Sequence, residues 1–463
     1  MRRLILIVAA ASAMVASAAS AQRTGLIRAG EPFPEITLPL LDGEAWSIAE
    51  MRGRTVMLHD FASWRAGCRR RVPVWHEQTQ ELRDSGELAM VGIVSEQHPD
   101  RARLFAQWKQ MEWPILVDSL NLLDVSAVPI HVLIDEAGVV QAVGVRSVEE
   151  VEAFVARPAP ADVGEAIDVA PPDLDAMREA AARGNRAAKL ALAHALVMFG
   201  AGEDLDEAIA LYESALAADA ADGRAFFQLG VALRRRFESE RRRPDDFAAA
   251  IAAWQAALEL DPNQYIWRRR IQQYGPRLDK PYSFYDWVHE ARREIEARGE
   301  APAALTVEPS GAGFASPQKE FAGAGADPAP DPDRRIEVDD GEFIDIRPAV
   351  APGTAGQRAV RVHVWLTPRD ERKAHWNNEA EPLAVWLHPP EGWAVDRRLA
   401  GVPNPDSATS EEARSVEFEV SWPADAEPGA RTLRGSAYYN VCEDVDGVCL
   451  YRRQDFAVPV VVR

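Results

Sequence analysis

The stretch FASWRAGCRR, residues 61–70, joins two patterns. Before it, RTVMLHDF (residues 54–61) is the apolar, β-branched run of a strand. After it, residues 69–84 carry a helical pattern. One cysteine, Cys68, therefore stands where a strand hands over to a helix, behind Trp64, Arg65, Ala66 and Gly67. Unpaired backbone N–H groups at a helix start favour a negative side chain. Arg65, Arg69 and Arg70 add positive charge. Such surroundings lower a cysteine pKa from about 8.5 toward about 3.5–7.5. Burial acts in the opposite direction, disfavouring the thiolate. The residues alone leave that balance open.

Outward from the turn, LAMVGIVS (88–95), VPIHVLID (128–135) and GVVQAVGV (138–145) also read as strands. Helical patterns at 69–84 and 99–111 lie between them, so residues 23–155 are expected to form an α/β layer. PFPEITLPLLDG (32–43), FASWRAGCRRRVP (61–73) and AVPIHVLIDEAGVV (127–140) follow one another in order. Together they resemble a redoxin of the thioredoxin superfamily, nearest the exported thiol–disulfide reductases. The resemblance implies a thioredoxin-like fold, with Val128-Pro129 as a cis-proline turn where a client backbone pairs. It puts the family's second, shielded cysteine on Cys68 and its first, exposed nucleophile on Arg65. A single chain then cannot close an internal disulfide at this turn.

Cys68 is the candidate catalytic thiol, forming a mixed disulfide; the positive charge beside it makes Arg65 and Arg69 candidate thiol-activating residues, and the resemblance makes Val128 and Pro129 client-binding. The competing reading is a degenerate redoxin kept as a binding module, with Cys68 a small buried hydrophobe. Peroxidase activity is not expected. The Pro-x-x-x-Thr-x-x-Cys turn of peroxiredoxins would need Pro and Thr where the chain has Phe61 and Arg65.

Residues 156–174 are rich in Pro and Ala and read as a linker. Residues 175–299 are helical in pattern and repeat: Ala208, Tyr212 and Ala215 superpose on Ala250, Trp254 and Ala257. With Leu229-Gly230 in the preceding helix and Pro262 at the turn, they resemble tetratricopeptide repeats, whose stacked helix pairs make concave partner-binding surfaces. The insert at residues 234–246 reads mainly as a solvated charged loop, with an acidic partner as the alternative. The aromatic tract from Trp267 to Trp287 reads as a terminal cap.

After a second linker (301–335), residues 336–463 alternate with period two and are punctuated by Pro and Gly, as in a β-sandwich. Cys442 and Cys449 flank Asp446-Gly447, a hairpin signal. A disulfide there closes a short loop worth about 2–3 kcal/mol, and an exposed one is a plausible exchange site. KAHWNNEAEPLAVWLHPPEGW (373–393) and CEDVDGVC (442–449) resemble the immunoglobulin-like N-terminal periplasmic domain of DsbD, which carries electrons on a hairpin cysteine pair, over about residues 345–463. That resemblance makes Cys442 and Cys449 a catalytic pair; the alternative is a structural staple. No metal site is expected: the Asp444/Asp446 spacing lacks most ligands of a calcium loop, and no Cys/His spacing suits zinc. No cofactor is implied.

The chain opens MRRLILIVAAASAMVASAASAQ, a basic start, a short apolar run and a small-x-small cleavage signal. A signal peptide over residues 1–21, cut after Ala21, is expected, and with it a periplasmic or secreted protein. The formal net charge of -20 argues against nucleic acid as a partner. Membrane association is not expected beyond an uncleaved signal anchor. The expected architecture is multidomain: a thioredoxin-like α/β fold, all-α tetratricopeptide helical repeats and an all-β immunoglobulin-like sandwich. The expected partners are exported client proteins or a redox partner.

Overall fold

The computed structural model describes residues 23–160, 172–274, 284–309, 329–352, 358–443 and 448–463. The expected signal peptide, Tyr282, the greater part of both linkers, and the Asp444, Asp446 and Gly447 turn lie outside the described residues.

The first region is built on β1 (Val56–Phe61), β2 (Ala89–Val94), β3 (Ile115–Val117), β4 (Ile130–Ile134) and β5 (Val140–Val143). They lie in the order β3-β2-β1-β4-β5, with β1, β2 and β3 parallel and β4 and β5 antiparallel. β1, β2 and β4 are buried along their whole length, as continuous apolar runs covered on both faces should be. The helices α1 (Ala66–Gln78), α2 (Pro99–Lys109) and α3 (Val148–Val155) accompany the sheet, with a short helical turn at Gln80–Asp84 after α1. Pro99 opens α2, where its missing N–H costs nothing, and Gln110 closes it in the left-handed region at φ 51°. The expected 69–84 helix is interrupted at Thr79, whose hydroxyl donates to the Trp75 carbonyl.

The second region continues with α4 (Leu174–Ala182), α5 (Arg186–Phe199), α6 (Asp204–Ala218), α7 (Gly223–Glu238), α8 (Asp246–Leu260), α9 (Tyr265–Tyr274) and α10 (Trp287–Ala297). Asp173, Asn185 and Asp222 cap α4, α5 and α7 by accepting first-turn N–H groups. Gly230 lets α7 approach α8: a Cβ there would stand 2.3 Å from Trp254 Nε1. The aromatic tract splits. Trp267 stacks on Phe227 within the helices, whereas Phe284, Tyr285 and Trp287 join the core of the first region. There Trp287 stacks on Trp108 of α2, centroids 5.7 Å apart.

The expected solvated Arg insert is partly buried. Arg234 and Arg236 belong to α7, and Arg236 pairs with Asp246 and Asp206. Those partners come from this chain, so the insert braces its own helices.

The third region comprises β6 (Ile344–Ala351), β7 (Ala359–Pro368), β8 (Ala374–Asn377), β9 (Leu383–His388), β10 (Leu399–Val402), β11 (Arg414–Ser421), β12 (Gly429–Glu443) and β13 (Cys449–Val462). One antiparallel sheet runs β6-β7-β11; the other runs β10-β9-β12-β8, with β13 along β12. Val362, Leu366, Phe418, Val385, Tyr439 and Val458 share one buried core. Among the described residues, no helix is long and apolar enough to cross a membrane.

Candidate functional site

Two sulfur sites emerge. At the first, β1 ends at Phe61 and α1 starts at Ala66, which seats Cys68 in the first turn of the helix. The Val128–Pro129 peptide is cis. Pro129 faces the turn: a Cβ added to Gly67 would lie 3.8 Å from Arg65 Nε and 3.9 Å from Pro129 Cδ. Arg65 and Pro129 thus flank Gly67, the residue before Cys68. Arg69 reaches back instead, donating to the Ser63 carbonyl at 3.2 Å.

Cys68 is nevertheless not the exposed, ionised thiol that the cation-rich helix start suggests. It is 0 % exposed, and its Sγ accepts the Ala62 N–H at 3.5 Å. Burial pushes the thiol up to about 12. The Ala62 N–H, Arg65 and Arg69 pull it down by less, and Asp60 adds to the rise. Desolvation outweighs the cations because two of them, Arg65 and Arg69, lie partly in solvent, where their field is screened.

Sequence reasoning passed over Asp60. It stands one residue from the end of β1, 1 % exposed, with its carboxyl held well above the usual range by burial and then by Asp118. A charged residue inside the apolar run LHDF was the available signal.

The face beside this turn is occupied by the chain itself. Trp64 meets Phe284 edge-on at 6.0 Å, and the Arg269 guanidinium lies 5.0 Å from the Trp64 ring and 3.7 Å from the Phe284 ring. Ser63 Oγ donates to Glu96 at 2.5 Å, Tyr285 donates to the same carboxylate at 2.7 Å, and Arg269 donates to the Tyr285 hydroxyl at 2.9 Å. Each member of this chain of hydrogen bonds is buried.

The second sulfur site is the β12–β13 hairpin. Cys442 and Cys449 stand opposite each other in register and are disulfide-bonded. Their settings differ. Cys442 is 3 % exposed and has His375 of β8 on its other side, whereas Cys449 is exposed. Val448 and Tyr451 beside it are 65 % and 42 % exposed. Cys68 is the free cysteine.

Comparison with known proteins agrees with the first region. Residues 29–143 match the model of the AhpC/TSA family. The chain is 28% identical over 130 residues to the thioredoxin-like protein YneN of Bacillus subtilis, a span of 27% of this chain and 76% of that protein. Among solved structures, it is similar to a putative protein disulfide isomerase from Bacteroides thetaiotaomicron at 25% identity, covering 28% of this chain and 88% of that one, with a TM-score of 0.25. A putative thiol:disulfide interchange protein DsbE from Chlorobium tepidum is 23% identical over 28% of this chain and 96% of that one, with a TM-score of 0.26. The AhpC/TSA match at residues 29–143 thus falls on the thioredoxin-like α/β domain built around the β3-β2-β1-β4-β5 sheet.

Proposed function

We propose that the chain is an exported thiol–disulfide exchange protein whose working sulfurs are Cys442 and Cys449, with Cys68 silent. The observation that carries this reading is the contrast in access: Cys449 is exposed, while Cys68 is 0 % exposed with its thiol pushed up to about 12. Exchange requires a thiolate and a reachable sulfur. In the oxidised protein a client thiolate attacks Cys449 Sγ. The sulfur–sulfur bond to Cys442 breaks, and Cys442 leaves as a thiolate that takes up a proton. A second client thiol attacks the mixed disulfide, so the client gains a disulfide and the hairpin holds a dithiol. Two electrons pass from client to hairpin, and the reverse sequence reduces a client disulfide. The hairpin's likeness to the DsbD N-terminal domain and the immunoglobulin-like reading of the two sheets belong to this proposal. So do the helix pairs as tetratricopeptide repeats that hold the partner, and export by the leader at residues 1–21.

Trapping separates the two hairpin sulfurs. In the Cys442→Ser variant, the accessible Cys449 attacks client disulfides and nothing resolves the adduct. Mixed disulfides with oxidised glutathione or a scrambled client should therefore accumulate on Cys449. The Cys449→Ser variant, left with the shielded sulfur, should accumulate few. Equal trapping by both variants, or none by either, contradicts the proposal.

A second reading, a non-catalytic adaptor, is favoured by the cover over Trp64. Phe284, Arg269 and Tyr285 sit where a visiting chain would approach a thioredoxin-like turn. On that reading Cys442–Cys449 is a staple and resists glutathione.

A further inference from the structure

A cleft of about 400 Å³ opens where the thioredoxin-like domain meets α6 and α7. Pro39 and Leu120 line it from the first region, Leu205 and Arg235 from the helices. Its size lies within the range of small-molecule sites, about 300 to 1,000 Å³.

Arg235 decides what such a cleft can hold. The stretch RRRFE, residues 234–238, puts three arginines in the last turns of α7. Two of them are neutralised within the chain: Arg234 pairs with Glu238 at 2.9 Å, and Arg236 pairs with Asp246 and Asp206. Arg235 is half-buried in the wall of the cleft, and among the described residues it forms no ion pair. Glu238 is the charge that favours its ionisation, and that carboxylate is held by Arg234. Burial pulls the Arg235 pKa below the ordinary guanidinium value, with Glu238 making up only part of the difference. A guanidinium that has given up part of its hydration without gaining a counter-ion is completed by an anion.

The rest of the lining says which anion. Asp118 also faces the cleft but is engaged elsewhere: its carboxylate accepts the Leu122 and Leu123 N–H groups at 2.7 and 3.1 Å. Arg235 Nη1 is enclosed, whereas Nε and Nη2 are not. Those two form one edge of the planar fork, a pair of N–H groups that matches the two oxygens of a carboxylate. Arg235 is the one arginine among the lining residues, so a single positive charge is offered. It balances a monoanion; a phosphate dianion would call for a second cation. Pro39, Val117, Leu120 and Leu205 supply apolar contact for a short chain.

We infer that this cleft binds a small organic monocarboxylate with a short apolar body. The carboxylate accepts from Nε and Nη2 of Arg235, and the body lies against Pro39, Leu120 and Leu205. The inference stands apart from the sulfur chemistry.

Hexanoate is the probe, titrated against the full chain by ligand-observed NMR, and it should bind saturably. 1-Hexanol and hexylamine share its chain but not its negative charge; each should bind at least about tenfold weaker, as the loss of hydrogen bonds to a charged group implies. Acetate keeps the charge but lacks the chain, and should also bind at least about tenfold weaker. Arg235→Gln removes the positive charge. Because Arg235 forms no ion pair among the described residues, the melting temperature should hold while hexanoate affinity falls at least about tenfold. The ligand series on the native chain decides independently of that variant. Three results would overturn the inference: no saturable hexanoate binding, 1-hexanol, hexylamine or acetate binding as tightly as hexanoate, or a folded Arg235→Gln chain that binds hexanoate unchanged.

Discussion

At the scale of single residues, the question at Cys68 is one of solvation against charge, and solvation prevails. Its thiol sits at about 12 in the folded chain against an ordinary 9.0. Between those values the folded chain keeps the proton that the unfolded chain has lost. Stability contributed by this group is therefore complete below the lower value and falls as pH rises through the window. Native alkylation of Cys68 at pH 7 should be far slower than that of the same cysteine in urea, and Cys68→Ala should leave exchange at the hairpin unchanged. Rapid native labelling near neutral pH would contradict this. The sequence made the lone sulfur and its cations legible, because these are local, and Val128-Pro129 legible through the family resemblance. It left the balance of burial against charge at Cys68 open, and it could not reveal the cover over neighbouring Trp64, because Phe284 and Arg269 arrive from more than 200 positions along the chain.

At the scale of elements, period and punctuation carried most of the reading. Strands at 54–61, 88–95, 128–135 and 138–145 reappear as β1, β2, β4 and β5, each trimmed by a residue or more. β3 is only Ile115–Val117, too short for a pattern to declare itself. The Leu229-Gly230 pair and the aromatic at position 254 were legible as a close helix crossing, and the contact bears a direct test. Gly230→Ala puts a methyl against the Trp254 indole, which is buried and donates to the Phe227 carbonyl at 3.1 Å. Overpacking of this kind costs about 1–3 kcal/mol. Urea unfolding of Gly230→Ala should show a loss in that range; an unchanged midpoint would mean that the two helices can part without penalty.

At the scale of the whole molecule, the three regions meet through buried polar contacts that no local pattern foretells. Glu417 of β11 is 5 % exposed and takes His98 and Gln97 of the thioredoxin-like region at 3.1 and 3.2 Å, and His363 of β7 at 3.3 Å. Burial alone would raise its carboxyl, but the hydrogen bonds and charges of His363 and His98 hold it well below the ordinary 4.5. A depressed carboxylate contributes stability that is complete above its unfolded value and is lost as pH falls toward its folded value. Glu417→Gln removes one partner of this buried group and should cost about 3 kcal/mol. The loss should be largest near neutral pH and shrink in acid. A flat difference between the two proteins from pH 7 to pH 3 would contradict this role.

On the proposed function, the hairpin exchanges electrons and the cysteine of the thioredoxin-like domain does not. The most direct measurement equilibrates the full chain across a series of glutathione redox buffers, quenches with alkylating reagent and weighs the cysteine peptides. A single two-electron transition shared by Cys442 and Cys449 is expected, with Cys68 unlabelled until the chain is unfolded. A bridge that stays oxidised in the most reducing buffer, with Cys68 labelling in the native protein, would contradict it.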